Sequence, residues 1–395
     1  MAFLGLLGVA AIVDQVDAEN YPIGDKDTMW ADPYLIGSLR HVGEIFPSRP
    51  VLHLGPPSEL ERGVEIAELD YQLRGKTHSL EDYFEQTRTT GFIVLKDGRI
   101  VFERYRLGAD ERSLFMSMSV SKSFVSTLVG FAIGDGLIGS VNDPISDYLP
   151  ELAGTGYDSV PIKAVLQMSS GVDFFEDYNQ VGSDFNRMWR ESVHDNKTPI
   201  TAFVRKVKRQ REPYTRFYYS AADTIALGWL LKRVTGKTLS GYLSEKMWGP
   251  LGMESGANWV VDGPAEDASE LAFCCLSATL RDYSRFGLLM LQDGKWQGQQ
   301  LLPPGWVREA SRPDRPQVQP GQIDAGDLGY QYQWWTFPGD DGAYMARGVN
   351  GQFIYVNPAD KLVIVVTSVW YYWWSADLAE HTYAVFDAFA YVLHQ

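Results

Sequence analysis

Strand-like segments at both ends of the chain, with a helical stretch between them, limit the fold more than any other feature of this sequence. Gly91–Glu103 reads as two apolar strands joined at Asp97-Gly98, a pair that favours the left-handed backbone of a tight hairpin turn. Strands return only near the C-terminus, at Gln331–Phe337, Ala343–Ala346, Phe353–Val356 and Leu362–Ser368. Asp377–Leu393 then closes the chain as an amphipathic helix. Strands that follow one another through short connections pair antiparallel. Between the two strand regions the spacing predicts helices over Ile162–Met168, Thr198–Arg211 and Ala221–Thr235, the last stopping at Gly236. Ser277–Leu291 reads as another helix capped by Ser277, and Ser79 caps a short one before the hairpin. The expected organisation is an N-terminal extension over 1–75 packed on the body, an α/β body from 76–134 and 266–395, and a helical lobe over 135–265.

Bulk properties narrow the function classes. The chain has 395 residues, 45% of them hydrophobic and 22% charged, enough for one large domain or two lobes. A net charge of −15 without a basic run excludes a nucleic-acid binder and disfavours anionic membrane surfaces. Cys274 and Cys275 are adjacent, and neighbouring cysteines rarely close a disulfide because the geometry is strained. No disulfide framework is therefore expected. The six histidines have no metal-ligand spacing, so no metal or cofactor is expected either. The apolar run over residues 2–13 is too short to span a bilayer. It reads as a short helix packed on the body, or as a signal-peptide core with cleavage near Val16-Asp17-Ala18. Localisation stays open, with the cytoplasm slightly favoured, and so does a homodimer.

The chemistry concentrates in Ser119-Val120-Ser121-Lys122, within the apolar helical run Phe115–Gly130. Residues at i and i+3 share a helix face, so the Ser119 hydroxyl and the Lys122 amine can meet. A serine attacks only when a base takes its proton, and a lysine can be that base where apolar surroundings disfavour its charged form. Met116, Met118, Phe124, Val125 and Leu128 supply such surroundings. The tetrapeptide alone also fits a helix start with a snorkelling lysine. Two further segments add to it. Tyr219 stands just before the Ala221 helix, and Arg347-Gly348-Val349-Asn350-Gly351-Gln352 gives a glycine-flanked edge whose N–H groups can face a substrate.

Ser-x-x-Lys near 120, Tyr219-Ser220-Ala221 and the glycine edge near 350 resemble the three motifs of the serine β-lactamase and penicillin-binding superfamily. Leu166-Gln-Met-Ser-Ser-Gly171, Leu280-Arg-Asp-Tyr-Ser-Arg-Phe-Gly287 and Tyr332-Gln-Trp-Trp335 resemble family sequence as well. Met118-Ser-Val-Ser-Lys-Ser123 and Glu176-Asp177-Tyr178 are most similar to the 6-aminohexanoate-dimer (nylon-oligomer) hydrolases and their esterase relatives. The resemblance implies an α/β (α+β), β-lactamase-like fold: an antiparallel sheet flanked by helices, with an inserted, mainly helical lobe. It implies a serine hydrolase acting on a small ester or amide, with Ser119 as nucleophile and Lys122 and Tyr219 moving its proton. Ser119 and Val349 would form the oxyanion hole. Tyr178 is similar to the tyrosine that aids amide cleavage in the nylon-oligomer hydrolases. Phe174, Tyr178, Trp335, Asn350, Gly351, Trp370 and Tyr372 are the expected substrate contacts. Where family members carry histidine, or lysine in the β-lactamases, this chain has uncharged Asn350, which weakens a β-lactamase or D,D-peptidase reading. A member that binds ligands or partners without catalysis is the remaining alternative.

Overall fold

Asp97 and Gly98 both adopt positive φ, at 51° and 80°, and turn the chain between Thr89–Lys96 and Arg99–Tyr105. In the computed structural model, which describes residues 21–339 and 341–394, this hairpin forms one edge of a seven-stranded antiparallel sheet. From the other edge the order is Gly329–Gln331, Trp334–Thr336, Tyr344–Gly348, Gln352–Asn357 and Leu362–Ser368, which pairs with Thr89–Lys96. N-terminal and C-terminal strands thus meet in one sheet.

Leu362–Ser368 shows why its sequence is apolar without alternation. Val363 and Val365 pack into the core cluster shared with Leu280–Leu291, while Leu362, Ile364 and Val366 pack into the cluster under Ala376–Leu393. Side chains alternate across a strand, so a sheet covered on both faces needs apolar residues at every position. On the first face Gly287 lies so close that an added Cβ would fall 2.5 Å from Val363. On the second, Phe389 stacks on Phe92 and Phe386 on Tyr355, with centroids 5.7 and 4.6 Å apart.

A smaller sheet leads into the turn that carries Ser119. Ser48–Val51 pairs with Ala257–Val260, then Leu276–Ala278, then Phe115–Met116. Three expected helices differ, two of them because of this sheet. The run from Phe115 is a strand, then a 3₁₀ turn over Met118–Val120, and only from Ser121 to Gly134 an α-helix. Ser277 lies in a strand, paired with Met116 and Asn258, and the following helix Leu280–Leu291 is capped by Thr279. Thr198–Arg211 is helical only over Thr201–Val204, because Gly156 and Asp173 donate to the carbonyls of Val207 and Lys208 and pull that stretch out of the helix. Gln331–Phe337 is likewise no single strand: Tyr332 and Gln333 take positive φ and fold it into a hairpin. The apolar run over residues 2–13 lies outside the described residues. Among the described residues no helix is long and apolar enough to cross a membrane.

Candidate active site

Ser119 lies in the 3₁₀ turn and Lys122 in the first turn of the α-helix that continues it, so the two side chains, three residues apart, share a face. Lys122 Nζ donates to Ser119 Oγ at 2.9 Å and to the Phe273 carbonyl at 2.8 Å. Lys122 is almost wholly buried, with the rings of Tyr219 and Phe273 at 4.9 and 5.5 Å from its nitrogen. Met118 takes φ +48°, a left-handed backbone rare outside glycine, and the turn leaves Ser119 partly exposed. The neighbouring serines face inward. Ser121 Oγ bonds Ser117 Oγ at 2.7 Å, and Ser123 Oγ donates to the Gln333 carbonyl at 2.7 Å.

Tyr219 stands two residues before the helix Ala221–Thr235, whose N-cap is Ser220. That helix is fixed to its neighbours by Gln333, whose side chain accepts from Thr224 Oγ1 at 2.8 Å and donates to the Leu166 carbonyl at 2.9 Å. Tyr219 stacks on Trp335 with centroids 5.6 Å apart, and the Arg347 guanidinium lies between Trp335 and Trp374 at 3.5 and 4.3 Å from their rings. The first amide of the helix, Ala221 N–H, donates to the Glu176 carboxylate. A helix N-terminus favours negative charge there. The other Glu176 oxygen accepts from the Tyr178 hydroxyl at 2.6 Å. Loss of water around Glu176 raises its carboxyl above the usual range, against the pull of the Lys122 charge. Burial, and then the Glu176 charge, push the Tyr178 phenol far above its ordinary value, which keeps it a hydrogen-bond donor.

The glycine edge closes on the nucleophile turn. A Cβ on Gly348 would sit 2.7 Å from the Ser117 carbonyl oxygen and 3.1 Å from Ser119 N, so only glycine permits this approach. The next residue, Val349, turns its side chain to the cleft, and its N–H donates to no other described residue.

Ser119 opens on a cleft of about 540 Å³. Met116, Met118, Phe185, Trp189, Phe273 and Trp373 line its apolar part, with Trp30 arriving from the N-terminal segment. Trp30 packs against Trp189 and Trp373, with centroids 6.0 and 4.9 Å apart. At the mouth Asp27 accepts from His194 Nε2 at 2.9 Å, and Lys26 donates to the His194 carbonyl at 2.8 Å.

Of the expected substrate contacts, Tyr178 alone is on this wall, beside Ser119 and Val349. Phe174 is buried in the core at 2% exposure. Trp335 backs Tyr219 instead of facing the cleft. Asn350 is buried, and its side-chain amide donates to the Trp370 carbonyl at 2.9 Å. Gly351 covers the Trp370 ring, where a Cβ would fall 2.3 Å from Nε1, so neither of the pair faces the cleft. Tyr372 stands in solvent, off the cleft wall. The expected separation of Cys274 and Cys275 is also overturned. Cys275 takes φ +73°, a turn that brings the two sulfurs together, and they form a disulfide in the cleft wall. Trp30, Phe185, Trp189 and Phe273 were not indicated by any motif, because each reaches the cleft through packing between distant segments.

The β-lactamase family model matches residues 79–386. The 6-aminohexanoate-dimer hydrolase of Paenarthrobacter ureafaciens is 30% identical over 352 residues, which are 87% of this chain and 88% of that enzyme. A Bacillus anthracis protein described as a candidate 6-aminohexanoate-dimer hydrolase has a solved structure that superposes with a TM-score of 0.82. The two are 25% identical, and the match covers 93% of this chain and 96% of that one. A family VIII carboxylesterase shares the fold at a TM-score of 0.59 and 16% identity, over 83% of this chain and 99% of its own. The antiparallel sheet, the inserted helices and the family match over most of the chain agree: this chain belongs to the β-lactamase family, among the β-lactamase-fold serine hydrolases.

Proposed function

We propose that the protein hydrolyses carboxylic esters, and small linear amides more slowly, through an acyl-Ser119 intermediate. The observation that carries this reading is the 2.9 Å contact between Lys122 Nζ and Ser119 Oγ at the floor of an apolar cleft. Lys122, with Tyr219, takes the hydroxyl proton as Ser119 Oγ attacks the carbonyl carbon. The Ser119 and Val349 N–H groups receive the oxyanion. Collapse expels the leaving group, which takes its proton from the Lys122–Tyr219 pair. Water then gives a proton to the same pair as its oxygen bonds the acyl carbon, and Ser119 Oγ takes that proton back as its bond to the acyl carbon breaks and the acid leaves.

Apolar walls favour uncharged acyl groups. At the Asn350 position the chain offers no cation to hold a β-lactam carboxylate, and the asparagine side chain is turned to the Trp370 carbonyl. An amide nitrogen must be protonated to leave, whereas an alkoxide leaves more easily. We assign Tyr178, which borders the cleft beside Ser119, to hydrogen-bonding that nitrogen while the Lys122–Tyr219 pair supplies the proton.

Rates on p-nitrophenyl esters, 6-aminohexanoate linear dimers and a chromogenic β-lactam test this proposal. Esters are expected to turn over fastest, linear amides weakly and the β-lactam not at all. Tyr178→Phe is expected to depress the amide rate and spare the ester rate. Turnover of the β-lactam above the esters would overturn the substrate assignment, and equal losses on ester and amide would remove the role of Tyr178.

A further inference from the structure

Phe273, whose carbonyl holds Lys122 Nζ at 2.8 Å, is followed directly by the Cys274–Cys275 disulfide. The turn carrying the pair is anchored on several sides. Cys274 N–H donates to the Leu271 carbonyl at 2.9 Å, and the Trp259 indole N–H is shared between the Leu271 and Cys274 carbonyls at 3.0 and 2.9 Å. Val260 N–H donates to the Cys275 carbonyl at 3.2 Å, and Leu276 N–H donates to Ser121 Oγ at 3.2 Å. The turn is thereby tied to the smaller sheet and to the nucleophile helix. The Phe273 carbonyl is the one that reaches into the active site.

A bond between adjacent residues closes only the small ring that holds their own peptide bond, so it spans no length of chain and restricts the unfolded chain little. Its effect is local. It locks the backbone between Cys274 and Cys275 into one turn, and both residues lie in the cleft wall.

We propose that the Cys274–Cys275 disulfide is a positioning element for Lys122: closed, it fixes the Phe273 carbonyl that aims the lysine at Ser119, and opened, it releases that carbonyl and slows turnover. This rests on the reading of Lys122 as the proton carrier. Opening takes two electrons and two protons. A dithiol such as dithiothreitol supplies both, leaving as its own cyclic disulfide while two protein thiols form.

The test compares the full chain, isolated without reductant, before and after dithiothreitol, with thiols counted by mass after iodoacetamide. The substrate is p-nitrophenyl acetate, too small to depend on the cleft wall. Reduction is expected to lower kcat at least roughly tenfold with KM moving less than about twofold, because a small misplacement of a catalytic group acts on kcat. Reoxidation should restore the rate. Cys274→Ser should match the reduced enzyme and ignore dithiothreitol, its fold checked by thermal melting, and Cys275→Ser provides the same comparison if that variant does not fold. Free thiols in the untreated protein, an unchanged kcat with both thiols alkylated, or a change in KM alone would each overturn the proposal. An oxidised enzyme that acylates Ser119 normally after Lys122→Ala would instead overturn the reading of Lys122.

Discussion

Lys122 is held at two points, the Ser119 hydroxyl and the Phe273 carbonyl, with aromatic rings over the rest of its amine. Of those two hydrogen-bond partners, Ser119 is the one with a proton to exchange. Lys122→Ala is therefore expected to cost at least ~10² in kcat, the scale of losing a general base. Tyr219→Phe keeps the ring that stacks on Trp335 and removes only the hydroxyl, so a comparable loss there would show that the proton is shared. Steady-state rates on one ester measure both, and near-normal turnover by the alanine variant would remove Lys122 from the mechanism. That Ser119, Lys122 and Tyr219 lie together was legible in the sequence, because the spacing and the motif order carry it. Which serine faces the cleft was not settled by spacing alone. It depends on Ser117 and Gln333 occupying the hydroxyls of Ser121 and Ser123.

At the level of elements, the sequence was readable where local chemistry decides and opaque where distant partners do. Asp97-Gly98 turned the hairpin by its own backbone preference, and Gly236 ended the tyrosine helix at φ +65°. Ser277 looked like a helix cap but became a strand, because pairing with Met116 and Asn258 outweighs a local signal. The tyrosine helix also carries a titratable group in its first turn. Asp223 is 1% exposed, accepts from Tyr157 OH and Ser170 Oγ at 2.8 and 2.6 Å through one oxygen, and has no partner for the other among the described residues. Burial raises its carboxyl from an ordinary 3.8 to about 7. Between those values the folded chain keeps a proton that the unfolded chain has lost. Its contribution is therefore complete below the lower value and disappears as pH climbs through the upper one. Asp223→Asn has no carboxyl proton to lose, so at about pH 8 it should be more stable than the parent by on the order of 1–3 kcal/mol, with the gap clearly smaller at about pH 5 and closed only below the lower value. Chemical denaturation at the two pH values measures this, and a gap independent of pH would contradict it.

Across the whole molecule, Ser119, Tyr219 and the glycine edge come from three separate stretches of chain: Ser119 and Val349 meet at one cleft, and Tyr219 joins them through its ring, 4.9 Å from Lys122 Nζ. The wall opposite Ser119 is less legible. Trp30 from the N-terminal segment, Trp189 from the lobe and Trp373 beyond the last strand meet only in the folded chain. The aromatic run 370–374 shows the same divide: Trp370 lies under Gly351, Trp373 lines the cleft, and Tyr371 and Tyr372 stand in solvent. Alternation could divide such a run, but only the tertiary path says which face is the cleft. The central claim is that this assembly makes an acyl-enzyme at Ser119. Peptide mapping of the protein after reaction with a fluorophosphonate tests it most directly. One adduct is expected on Ser119 in the parent chain and none in Ser119→Ala, with the melting temperature of that variant little changed. An adduct on Ser121 or Ser123, or ester hydrolysis at the parental rate by Ser119→Ala, would contradict it.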